Sequence, residues 1–140
     1  MPPPLIPDRL GTGLRLDRGD LVFDAERRLE TVEGRANLTQ ALALRILTAY
    51  GSDPFHATYG LDLQQVFAGP NGPRAAAELV RMNLVRTLGT DPRVAEIRRI
   101  QFDGSDTPSE LVRRGRGWPV TVEIVTIDDE TLVLNTSVGG

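Results

Sequence analysis

Apolar positions between residues 34 and 67 recur at helical spacing. Leu38, Leu42, Ile46 and Ala49 share one face of a 3.6-residue wheel, and Ala43, Leu44 and Leu47 fill most of the others. Such a pattern predicts a helix buried among several elements, with a small domain folded around it. Asn37 reads as its N-cap, with Gln40 three residues later in a capping-box position. Gly51 reads as the stop, and Asp53 with Pro54 as the turn that follows.

A second helical stripe, Ala77, Val80, Leu84 and Leu88, is bracketed by Pro73 at a first helical position and Gly89 near the end. Before it, Tyr59 and Gly60 read as a turn, and Leu61, Leu63, Val66 and Phe67 as a short apolar element. The run from Gly69 to Pro73 is the strongest break in the chain. Alternation replaces helical spacing elsewhere. Residues 14–23 predict a hairpin around Asp17, Arg18, Gly19 and Asp20, whereas 24–33 fit either a short helix or a strand-like connection. Asp91 and Pro92 end the helical region. Residues 93–102 then predict a strand whose paired arginines, Arg98 and Arg99, mark a bulge. A polar loop over 103–117 leads into a second hairpin. Its strands are 120–127, with Val120, Val122 and Ile124 on one face, and 131–138, with Leu132 and Leu134 on one face. The expected fold class is α+β: two main helices on a small, mainly antiparallel sheet. A C-terminal hairpin ends it with an exposed edge strand, whose unpaired backbone suits pairing with another chain.

Composition narrows the function. The chain has 140 residues, enough for one domain over 14–140 behind a proline-rich arm at 1–13. That arm is either a disordered tail or a segment that orders on a partner. With 40% hydrophobic and 25% charged residues it matches a globular protein. The absence of cysteine removes disulfides and thiolate sites, and fits a reducing compartment. No apolar run approaches the roughly 20 residues that span a bilayer, so no membrane insertion is expected. The N-terminus does not read as a secretory signal. A net charge of −3 argues against nucleic acid as a partner, and the sixteen basic residues, all arginine, read chiefly as coding bias.

Candidate chemistry is sparse. Glu26, Glu30, Glu33, Glu78 and Glu123 all read as solvated surface, without the paired setting that glycoside hydrolysis needs. The single histidine, His56, reads as packed in a loop between Phe55 and Tyr59. No nucleophile elbow, calcium loop or phosphate-cradling glycine motif accompanies it. Hence no catalytic residue, cofactor or metal is expected. Arg45 falls on an apolar helix face; it either snorkels or is anchored to an acid such as Glu33 or Asp62.

The Asn-Leu-Thr-Gln helix start, the run Arg45 to Gly51, the Tyr59-Gly60 turn, the second helix and Asp-Pro-Arg-Val at 91–94 resemble one family. It is the baseplate wedge and sheath-initiator proteins of contractile tails: phage wedge proteins named as lysozyme-like, W-type phage proteins, and type VI secretion and extracellular injection counterparts. The resemblance covers about residues 20–138. It implies a non-enzymatic structural protein, assembled in the cytoplasm into the baseplate of a phage tail-like particle, in several copies around a ring. Implied partners are the sheath subunit, other baseplate wedge proteins and the inner tube or hub proteins. The resemblance further implies that the last strand, Thr131, Leu132, Val133, Leu134, Asn135, Thr136, Ser137 and Val138, pairs with the first sheath ring. The family's acidic-Pro-Arg wedge contact maps onto Asp91, Pro92 and Arg93, with Asp91 standing where Glu is usual. An anti-adaptor related to this fold suggests the alternative of a soluble protein-binding module, and the lysozyme-like label a weaker one, a peptidoglycan hydrolase.

Overall fold

The computed structural model describes residues 9–64, 66, 72–103 and 117–139. Most of the proline-rich arm, Phe67, the break from Gly69 to Asn71 and most of the polar loop lie outside the described residues. The expected α+β class is borne out, with two main helices and antiparallel sheets among the described residues. The chain forms two compact units, residues 1–41 and 42–140.

In the first unit, β1 (Thr12–Leu14) pairs antiparallel with β4 (Thr31–Glu33), and β2 (Leu16–Asp17) pairs with β3 (Asp20–Leu21). Arg18 and Gly19 join β2 to β3 with positive φ at both positions, the mirror-image turn that suits the twist of a tight hairpin. Residues 24–33 take the strand-like alternative. The Asp24 carboxylate accepts the backbone N–H groups of Glu26 and Arg28, turning the chain back into β4. Helix α1 (Gly34–Leu47) follows β4 without a linker. Gly34, at φ +65°, makes that entry, so the helix begins three residues before the expected cap. Asn37 is therefore inside the helix and buried, where its amide donates to the Leu10 carbonyl at 3.0 Å. Gln40 does not reach back along the helix either: it accepts from the Leu16 N–H at 2.9 Å and donates to the Leu14 carbonyl at 2.7 Å. Both amides serve backbone of the N-terminal segment, at the turn before β1 and at the β1–β2 junction, instead of the helix end.

In the second unit, β5 (Val94–Phe102), β6 (Trp118–Thr126) and β7 (Thr131–Val138) form an antiparallel sheet with β6 central. Helix α2 (Pro73–Gly89) packs on β5. The expected stripes are buried: Val80, Leu84 and Leu88 from α2, Val120, Val122 and Ile124 from β6, Leu132 and Leu134 from β7. Trp118 stacks on Phe102 at 4.3 Å between ring centroids. The expected burial of α1 on nearly all sides is not found. Leu42 and Ile46 are buried while Leu47 is exposed, because the helix ends there rather than near Gly51. The chain then folds back so that Ala49 bridges to Leu61. Gly60 makes this fold possible. At φ +106°, a Cβ there would stand 2.5 Å from the Thr48 carbonyl oxygen, so any side chain collides with backbone. The buried Thr87 hydroxyl donates to the Gly60 carbonyl at 2.8 Å and locks the turn to α2.

Candidate functional site

The three-stranded sheet has two edges of opposite character. β5 is bulged twice, between Val94 and Glu96 and between Ile97 and Arg99, and carries Glu96, Arg98 and Arg99. β7 holds an unbroken register against β6 from Thr131 opposite Val125 to Val138 opposite Trp118, and contains no charged residue or proline. Among the described residues β7 pairs with β6 alone. Thr126 N–H donates to the Glu130 carbonyl at 2.9 Å. By antiparallel alternation, the even-numbered residues of β7 then turn their backbone groups toward β6, and Val133, Asn135 and Ser137 turn theirs away. Leu132, Leu134 and Val138 are buried on one face; Thr131, Val133 and Asn135 are exposed on the other, Val133 by 53%. The hairpin that presents β7 is held by the buried Thr126, whose hydroxyl faces the N–H groups of Asp128 and Glu130 at 3.3 Å.

The second group of expected site residues forms the corner between α2 and β5. Asp91 is only 1% exposed. Its carboxylate oxygens accept Arg93 Nε–H at 2.9 Å and Nη2–H at 2.7 Å, and Oδ1 also takes the Arg93 backbone N–H at 3.0 Å. The Asp91 carbonyl accepts the Val94 N–H and the Arg93 carbonyl accepts the Ile127 N–H, so this corner starts β5. Burial by itself would raise the Asp91 carboxyl. The Arg93 hydrogen bonds, with the charges of Arg93 and Arg45, outweigh it and hold the group below its ordinary value. Pro92 stands between the two as the rigid element of the corner.

Arg45 is anchored, but to neither Glu33 nor Asp62. Its Nε lies 3.7 Å from Asp91 Oδ2, its Nη1 donates to Thr90 Oγ1 at 3.1 Å, and its guanidinium sits 4.7 Å from the Tyr59 ring centroid. Asp62 faces Arg86 instead, at 4.0 Å. The sequence marks Tyr59 only as part of a turn and does not single out Thr90; an arginine on an apolar stripe is the signal that a polar cluster has to exist. Burial raises the Tyr59 phenol, with the Arg45 charge opposing. His56 is exposed rather than packed, with Nδ1 3.3 Å from Asp53 Oδ2, because the Asp53 turn directs the ring outward. Glu30 and Glu78 pair with Arg15 and Arg81 at the surface. Among the described residues no three His, Asp or Glu side chains gather as metal ligands, and no helix is long and apolar enough to cross a membrane.

No curated protein matches the chain. The family model of the contractile injection system sheath initiator matches residues 12–129, ending just before β7. The match takes in the N-terminal hairpins, both helices, the Asp91 corner and the β5–β6 pair, and so most of the sequence. The chain belongs to the contractile injection system sheath initiators, structural components of these machines.

Proposed function

We propose that the protein sits in the baseplate and seeds the sheath by adding a strand of the first sheath ring to the open side of β7. The observation that carries this reading is the contrast between the sheet's edges. Natural sheets protect exposed edges with charges and bulges, and β5 has both while β7 has neither. An incoming strand would find the backbone groups of Val133, Asn135 and Ser137 pointing outward, the geometry of strand addition. The corner of Asp91, Pro92 and Arg93 is the proposed contact to wedge proteins. Since the Asp91 carboxylate is used within the chain, its role there is to fix Arg93 and the start of β5, and the partly exposed Arg93 side chain is the proposed contact. Repetition around a ring lets modest contacts hold a stable assembly. The reading needs no catalysis and no cofactor. Tube or hub proteins are further proposed neighbours.

The test is co-sedimentation with the sheath subunit of the same injection system, comparing the natural chain with Val133→Pro. Proline at 133 removes an outward N–H and leaves the ladder to β6 in place. Sheath binding lost in a variant with an unchanged circular dichroism spectrum supports strand addition. Equal binding by both rejects it, and a one-to-one complex with a regulatory protein in place of sheath would favour the anti-adaptor reading.

A further inference from the structure

A polar pocket of about 230 Å³ opens beside the Asp91 corner, lined by Arg45, His56, Thr58, Tyr59 and Thr90. Its floor holds a cation whose hydrogen bonding is incomplete. Arg45 has a side chain 19% exposed and five N–H donors, and among the described residues it makes one hydrogen bond, to Thr90. Asp91 is near but beyond hydrogen-bond reach at 3.7 Å, and Arg93 makes the direct bonds to its two oxygens at 2.7 and 2.9 Å. A half-buried guanidinium in that state gains from a further acceptor.

We propose that this pocket binds a carboxylate, presented as an acidic side chain by a neighbouring protein of the assembly. The planar guanidinium matches a carboxylate through two parallel N–H···O bonds. Contact with the Tyr59 ring and the Thr90 hydroxyl already holds the guanidinium, so little side-chain freedom is lost on binding. The Thr58 hydroxyl, at the exposed rim, supplies a further donor. The rim also decides the kind of anion. Asp53 lies against His56, and its negative charge opposes a phosphate chain more than a single carboxylate. That the partner is a baseplate protein rests on the proposed function; the pocket's chemistry does not.

The experiment uses the full isolated chain, following the Arg45 Nε–H and Tyr59 ring resonances by NMR. The probe is N-acetyl-glutamate N-methylamide, with the glutamine analogue as control. The expected result is a saturable shift at both residues with glutamate only, with a Kd of about 1–10 mM for so small a probe. Arg45→Lys keeps the positive charge, loses the planar fork and should abolish the Tyr59 shift. Thr58→Val, at an exposed position, should weaken binding about threefold and serves if the lysine variant misfolds. Unmoved resonances, or equal shifts with glutamine, overturn the proposal. Because no sheath protein is present, a positive titration alongside failed sheath binding rejects only the strand-addition reading, and the reverse result rejects only the pocket.

Discussion

The two edges of one sheet, β5 and β7, differ in nearly every property that governs strand pairing. β5 begins at a buried ion pair, is interrupted by two bulges and carries three charged residues. β7 is straight in register, uncharged, and alternates between a buried aliphatic face and an exposed one that carries Thr131, Val133 and Asn135. Among the described residues the same backbone chemistry is therefore guarded on one side and open on the other. Edge protection is an individual property of strands, set by side chains and register, not by position in a sheet. The proposed strand addition rests on that difference.

The comparison can be broken most directly at β7. Val133→Pro is expected to reduce sheath co-sedimentation at least tenfold, while the melting temperature falls by only a few degrees, because the altered N–H faces away from β6. Retained binding would mean that the open edge is not used.

At β5 the corresponding test is Asp91→Asn. It leaves Arg93 and Arg45 without their shared carboxylate in a mostly buried setting, at an expected cost of about 3 kcal/mol in urea unfolding. Hydrogen exchange should rise first at Val94 and Ile127, whose N–H groups bond the corner's carbonyls. A smaller, graded form of the same effect comes from pH. The folded-state value of Asp91 is depressed, so its contribution is present above the unfolded value and is lost as pH falls through the folded one. Thermal melts should show the natural chain losing stability below about pH 4, with that portion of the loss absent from Asp91→Asn.

The smallest effect sharpens the contrast between edges. Replacing Arg98 and Arg99 by threonine should change stability by no more than about 0.5 kcal/mol, since both are surface positions. Self-association measured by sedimentation should increase as the charged guard is removed from β5. Unchanged association would assign its protection to the bulges alone.

Much of the fold was legible because it follows from local periodicity. The α2 stripe, the Arg18-Gly19 hairpin, the bulge near Arg98 and the inward faces of β6 and β7 each rest on residues a few positions apart. The candidate strand was legible for the same reason. The start of α1 was not. Asn37 and Gln40 form a sound cap by spacing, yet the backbone at Leu10, Leu14 and Leu16, more than twenty residues away, claims both amides. His56 was misjudged because aromatic neighbours in sequence do not imply packing when a carboxylate turn points the ring outward.

By itself the sequence determined most of the elements, the α+β class and the family, since these depend on patterns local to the chain. Only the tertiary structure decided that Asp91 is buried, that Arg45 reaches Thr90 across forty-five positions, and that β5 forms the edge opposite β7. The physical reason is the same in each case. A charge's partner and a strand's neighbour are set by which distant segments meet once the apolar faces are buried, and spacing along the chain carries no record of that meeting.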